Sequence, residues 1–270
     1  MDTDWKIERL DRMLNVTAEL FFGKEAELFF RRFEGGRDSL LDIGCGNGAY
    51  LGRLAAAYPG LGLTGIDPEE RLLRKAKDAP SLAQAARFLH GGYDVLTGDE
   101  TYDTILARLV VLHLPDRDHW GHWLAERTRE RSELVVIDFD DDRYCGDDRL
   151  PLFTALYKRA RRTLRGPRSF VPLPDALRLA LEPYGFERLR VERYEVRADK
   201  PDTKRLLRDY MRLATEYMTG EPISAERERE LLDWEDDPAS DQRIPMFGAV
   251  FARRKGDESG KGEGEGERTA

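Results

Sequence analysis

The stretch LLDIGCGNGAYLGRLA, Leu40 to Ala55, followed by GIDPEE at Gly65 to Glu70, decides the fold. Leu40, Leu41 and Ile43 form the apolar run that a strand buried on both faces needs. The run ends in Gly44-Cys45-Gly46-Asn47-Gly48, and a helix follows with Leu51, Leu54, Ala55 and Tyr58 spaced by three and four. Strand, glycine loop and helix in that order make a nucleotide cradle. The glycines let backbone approach a ligand closely, and the helix N-terminus points free N–H groups at it. A second strand, Leu61 to Ile66, ends at Asp67. That position, roughly twenty residues on from the loop, is where a carboxylate accepts hydrogen bonds from ribose hydroxyls.

The glycines are spaced Gly-x-Gly-x-Gly, one residue tighter than the dinucleotide fingerprint, and Asp42 stands two residues before the first. A carboxylate there repels a pyrophosphate and suits a ligand that carries an ammonium and a sulfonium. The segment resembles the first motif of the class I S-adenosylmethionine-dependent methyltransferases, acid-x-Gly-x-Gly-x-Gly. Three further segments resemble that family: RFLHGGYDVL (Arg87 to Leu96) its third motif, YDTILARLVVLHLPD (Tyr102 to Asp116) its fourth strand and the motif after it, and ELVVIDF (Glu133 to Phe139) its fifth strand. In the third, Gly92 is followed by Tyr93 before Asp94, where the family often has Gly-Asp. The resemblance covers roughly residues 38 to 254.

The resemblance implies S-adenosyl-L-methionine as cofactor. Gly44, Gly46 and Gly48 then form its loop, Asp42 lies near the methionine ammonium, and Asp67 with Pro68 takes the ribose. Tyr93 and Asp94 fall on the adenine side, and Ala107-Arg108 at the end of the fourth strand on the methionine side.

Composition narrows the rest. Charged residues make up 36% of the 270 and the net charge is −8, a field that opposes sequence-independent nucleic-acid binding. Cys45 and Cys145 are the two cysteines, and neither a structural disulfide nor a metal-ligand spacing is expected. MDTDWKIERL lacks the apolar core of a signal peptide and no apolar run approaches a membrane span, so the cytoplasm is the expected location. Oligomeric state is left open.

Strand and helix continue to alternate, which predicts an α/β fold: a doubly wound, seven-stranded, mostly parallel sheet. Strands are expected at Arg87–Leu89, Thr104–Ala107, Glu133–Phe139, Phe186–Arg197 and Pro245–Arg253, and helices at Arg117–Arg131 and Pro174–Pro183. The resemblance implies an antiparallel seventh strand between the fifth and sixth. Residues 1–37 read as an N-terminal helical cap, 38–255 as the methyltransferase domain with helical insertions at 149–166 and 199–243, and 256–270 as a disordered tail. Both insertions leave the sheet at the edge where ligands bind in such folds, which predicts a lid over a small-molecule substrate.

Methyl transfer needs alignment and the removal of one proton. His113, just past the fourth strand, is the candidate base, taking a proton from a hydroxyl, an ammonium or a carbon acid; the other reading is a packing or capping residue before Pro115. Arg108 either orients a substrate or cofactor anion or pairs with a lid carboxylate. The run Asp138, Asp140, Asp141, Asp142 invites magnesium, but the magnesium-dependent enzymes resembled also need a carboxylate where Ala107-Arg108 stands, so no metal is expected. The basic stretch from Lys158 to Arg168 reads as a helix end favoured by the dipole. Tyr210, Met211, Tyr217 and Met218 read equally as pocket or core. The expected function is methyl transfer to oxygen, nitrogen or acidic carbon of a small molecule. The alternatives are a methyltransferase of RNA or protein and a catalytically silent cofactor-binding module.

Overall fold

The computed structural model describes residues 3–33, 38–114, 117–166 and 171–254. Strands β1 (Ser39–Ile43), β2 (Gly62–Asp67), β3 (Ala86–His90), β4 (Tyr102–Arg108), β5 (Thr128–Phe139), β6 (Phe186–Arg197) and β7 (Arg243–Arg253) form one sheet in the order β3-β2-β1-β4-β5-β7-β6. The pairs β1–β2, β1–β4, β2–β3 and β4–β5 are parallel, and β7 runs antiparallel to both β5 and β6. Strand order reverses between β1 and β4, and the carboxyl edge at such a switch point is where open α/β sheets bind ligands.

Successive side chains of the central strands enter opposite cores, as a sheet covered on both faces requires. Leu40, Leu106, Val135 and Ile137 join one apolar cluster, while Leu41, Ile105, Leu134 and Val136 join the other. Helices α4 (Arg117–Arg127) and α6 (Leu173–Leu181) cover the second cluster. On the first side lie α1 (Thr3–Glu25), α2 (Ala49–Ala57), α3 (Glu70–Asp78), α5 (Pro151–Arg165) and α7 (Pro201–Thr219), with α8 (Ala225–Asp236) packed on α7 and α5. After α1 a π-helical turn, Ala26–Phe30, and a 3-10 turn, Arg31–Phe33, deliver Phe29, Phe30 and Phe33 into that core.

One boundary departs from the sequence reading. The helix expected to reach Arg131 stops at Arg127, and β5 begins at Thr128. Thr128 Oγ1 donates to Leu124 O at 2.8 Å and closes the last turn of α4, Arg131 adopts φ 71°, and Ser132 Oγ donates to Tyr102 O at 2.7 Å. These contacts fix a strand in a charged run with no apolar alternation to announce it. The expected tail, 256–270, lies outside the described residues.

The inserted helices are tied to one another by polar contacts. Glu230 of α8 accepts the backbone N–H groups of Leu152 and Phe153 at 2.7 and 3.0 Å, capping the first turn of α5 from another element. Trp234 of α8 donates its indole N–H to Asp147, just ahead of α5, at 3.0 Å. Helix α7 in turn packs along α1.

Candidate active site

A cavity of about 400 Å³ opens at the carboxyl edge, within the usual range for small-molecule sites. Its floor is the loop after β1. Gly44 and Gly46 adopt φ 74° and 56°, in the left-handed region that favours glycine. A Cβ at Gly44 would stand 2.7 Å from Val110 Cγ2, and one at Gly46 2.6 Å from Leu14 Cδ1. Side chains at these positions would therefore fill space that now belongs to the cavity and its roof.

The loop amides differ from the expectation of free donors. Gly44 and Cys45 N–H donate to Ile66 O at 2.8 and 3.0 Å, Gly46 N–H to Asp67 Oδ2 at 2.7 Å, and Ala49 N–H to Asn47 Oδ1 at 3.1 Å. The glycines here supply room rather than donors. Gly48, φ 74°, supplies packing: its missing Cβ would lie 2.9 Å from Ala76 Cβ on α3.

Asp67 ends β2 almost fully buried. Besides Gly46 N–H it accepts Glu69 N–H on Oδ1 at 2.8 Å, and burial raises its pKa against the pull of these two amides. Each carboxylate oxygen keeps further acceptor capacity, and Asp67 and Pro68 both line the cavity. Asp42, on β1, lines the cavity deeper in. Burial pushes its carboxyl up to about 8, Arg108 opposing and nearby Asp67 adding to the rise.

Arg108 reaches the cavity from the end of β4 but is anchored behind it. Its Nε donates to Glu25 Oε2 at 2.9 Å and its Nη2 to Thr17 O at 3.3 Å, both on α1, and its guanidinium lies 4.3 Å from the Tyr50 ring centre. Tyr194 OH donates to Glu25 Oε1 at 2.6 Å. Burial is the largest single influence and works against the Arg108 charge, but the attraction and hydrogen bond of Glu25 together with Tyr50 and Tyr194 outweigh it, and the net pKa is raised. Of the two readings left open for Arg108, the pairing with a carboxylate of a covering helix is present. The next residue, Leu109, holds a left-handed φ of 57°, a conformation that costs a non-glycine residue on the order of 1–2 kcal/mol. It turns the chain so that Leu109 and Val110 both face the cavity, with His113 exposed beyond them at its rim.

Besides Gly48, three expected cofactor residues stand outside the cavity lining. Ala107 points to the opposite face, into the core under α4, because the alternation along β4 gives the cavity side to Leu106 and Arg108. Tyr93 is buried in that same second core, its ring 5.3 Å from Trp123. Asp94 is exposed in the loop after β3 and does not line the cavity.

The cavity wall opposite the glycine loop is built by helices. Leu10, Leu14 and Thr17 of α1 line the cavity, with Tyr157 and Arg161 of α5 and Tyr210, Tyr217 and Met218 of α7. The N-terminal half of α1 is held over the glycine loop by polar ties. Asn47 Nδ2 donates to Asp11 Oδ1 at 2.8 Å, Lys75 Nζ to Asp11 Oδ2 at 2.8 Å, and Arg71 Nη1 to Asp4 Oδ1 at 2.6 Å.

The acidic run is matched by arginines. Arg161 donates to Asp138 at 3.1 Å and Asp141 at 2.8 Å, Arg165 to Asp142 at 2.6 Å, and Arg193 to Asp140 at 3.0 Å. The acidic and basic stretches, read separately as loop and helix end, are thus two halves of one interaction. Among the described residues no cluster of three or more histidines, cysteines or carboxylates is placed to hold a metal ion.

Known proteins align with this geometry. Residues 41–129 match the model of a methyltransferase domain. A 27-O-demethylrifamycin SV methyltransferase of Amycolatopsis mediterranei (strain S699) is 33% identical over 106 residues, 38% of this chain and 39% of that protein. A tRNA U34 carboxymethyltransferase of Alteromonas mediterranea is 25% identical over 161 residues, 57% of this chain and 46% of that protein. The similarity thus spans less than half the length of either relative. Among solved structures, a proposed sarcosine dimethylglycine methyltransferase from Galdieria sulphuraria superposes with a TM-score of 0.54 at 17% identity, over 88% of this chain and 85% of that one. Residues 41–129 thus resemble a methyltransferase domain, and the chain has the fold of S-adenosylmethionine-dependent methyltransferases. Its cofactor is S-adenosylmethionine, and the cavity fits that group: a cradle that side chains would fill, with the carboxyls of Asp67 and Asp42 in its lining.

Proposed function

We propose that the protein transfers a methyl group from S-adenosylmethionine to a small organic molecule enclosed beneath α1, α5 and α7. The carrying observation is the continuity of one cavity, from Asp67 and the glycine loop to the aromatic wall of α5 and α7. The cofactor supplies an electrophilic methyl on a sulfonium; the protein supplies alignment and dry surroundings. Asp67 accepts from the ribose, Asp42 faces the ammonium, and Gly44 and Gly46 leave room for the ligand. His113, at the rim past β4, takes the acceptor's proton.

Similarity to a tRNA-modifying enzyme supports a second reading, a nucleic-acid substrate. The net charge of −8 and the helices roofing the cavity favour the small molecule.

Calorimetric titration with S-adenosylhomocysteine, and with NAD as control, tests the cofactor: the first binds in the micromolar range and the second does not. With an acceptor in hand, His113→Ala lowers turnover by roughly a hundredfold or more and leaves cofactor affinity intact. A variant within about threefold of wild type removes His113 from proton transfer.

A further inference from the structure

Charge is distributed unevenly along the cavity. The carboxylates that line it, Asp42, Asp67 and Glu69, all stand at the glycine loop and the end of β2. Toward the acceptor side the fixed charges in the lining are two guanidinium groups, Arg108 and Arg161. Each is held by carboxylates that do not themselves line the space: Arg108 by Glu25 at 2.9 Å, Arg161 by Asp141 at 2.8 Å and Asp138 at 3.1 Å. The acids fix the arginines in place, and the cations face the cavity.

The aromatic wall points the same way. Phe139, Tyr157 and Tyr210 lie within 6.4 Å of one another in the pairs Phe139–Tyr157 and Phe139–Tyr210, and Tyr217 continues the wall along α7. Such a wall captures an ammonium when its ring faces are free. Here Arg161 lies 4.8 Å from the Phe139 ring centre and Arg108 4.3 Å from that of Tyr50. Two aromatic faces already carry a cation, and a second positive charge beside them is repelled. A flat apolar molecule still stacks on the remaining surface, and an oxygen with negative charge gains a guanidinium donor.

We infer that the acceptor is an apolar, ring-bearing molecule whose reacting end is a hydroxyl of phenol or enol type or a carboxylate, and not an amine, with Arg161 setting this preference. The inference rests on the methyl-transfer reading above and narrows its substrate class.

Three probes of matched shape test it: 2-naphthol, 2-naphthoate and 2-naphthylmethylammonium, each titrated into full-length protein saturated with S-adenosylhomocysteine. Naphthol and naphthoate bind, and the ammonium binds at least roughly tenfold more weakly. In Arg161→Met, checked for folding by circular dichroism, naphthoate loses its advantage over the ammonium while S-adenosylhomocysteine affinity is unchanged. Should that variant fail to fold, the order of the probes on wild type decides alone. An ammonium that binds as tightly as naphthoate overturns the inference, as does failure of all three probes on protein that binds S-adenosylhomocysteine. Failure to bind S-adenosylhomocysteine itself overturns the methyl-transfer reading instead.

Discussion

At one end of the cavity the wall comes from a single stretch of chain, Asp42 to Leu72, held by short-range hydrogen bonds between β1, β2 and the turns that follow them. At the other end it comes from α1, α5 and α7, far apart in sequence and fixed by buried charge: Glu25 to Arg108, and Asp138 and Asp141 to Arg161. The first end is shaped by backbone and tolerates little change in any one residue. The second depends on pairs in which each partner leaves the other exposed to a large penalty. A common cofactor site and an individual acceptor site can be built this way on one sheet, because loops and helices at the carboxyl edge vary without disturbing the strands.

The largest expected effect falls on the helix-built end. Glu25 is fully buried and accepts from both Arg108 and Tyr194. Glu25→Ala leaves Arg108 buried without a counter-charge, a change that typically costs about 3–5 kcal/mol. Urea unfolding measures it. A loss below about 1 kcal/mol would mean that Arg108 swings into the cavity and finds water, and that the pair does not anchor α1.

A smaller effect is expected at the backbone-built end. Asp67→Ala weakens S-adenosylhomocysteine binding by about 1.5–3 kcal/mol, the worth of hydrogen bonds to a charged acceptor. Calorimetric Kd values give the comparison. Equal affinity in variant and wild type would leave Asp67 as a loop residue that only organises Gly46 and Glu69.

The contrast also explains which parts were legible in the sequence. The sheet follows from apolar runs and glycines, signals that are local and periodic, and Gly44, Gly46, Asp42, Asp67 and Pro68 all line the cavity that the motif spacing implies. The Ala107 side chain lies off the cavity by one residue, since strand alternation assigns a side by parity and the motif marks only the strand's end. Tyr93 packs into the second core, a placement the sequence does not announce because an aromatic beside a glycine turn looks the same whether it faces a ligand or a core. Arg161 was hidden because the acidic run and the basic helix were weighed apart, and no local rule joins residues twenty or more apart in sequence. Glu25 was hidden as well: it shares the stretch between Phe21-Phe22 and Phe29-Phe30 with Lys24 and Glu27, and nothing local marks which of the two acids is buried.

The smallest effect concerns where the two ends meet, at Asp42. Burial raises its carboxyl to about 8, with Arg108 pulling the other way. An unfolded chain returns it to about 3.9. The folded protein therefore holds this proton more tightly than the unfolded chain. Its contribution to stability is complete below about pH 4 and is lost as pH rises toward and through 8. Asp42→Asn accordingly stabilises the free protein more at pH 8 than at pH 5, as thermal melts at the two pH values would show. Ligand binding carries the opposite dependence. A cofactor ammonium beside Asp42 favours the ionised form, so binding below pH 8 releases a proton and tightens with rising pH. One proton sets the ceiling, about 1.4 kcal/mol or a factor of ten per pH unit. S-adenosylhomocysteine affinity measured at pH 6, 7 and 8 should rise along that slope or below it and flatten near 8, and Asp42→Asn should remove the rise. A wild-type affinity that stays level from pH 6 to 8 places the ammonium away from Asp42, and leaves that carboxyl a neutral hydrogen-bonding group at the junction of the two halves.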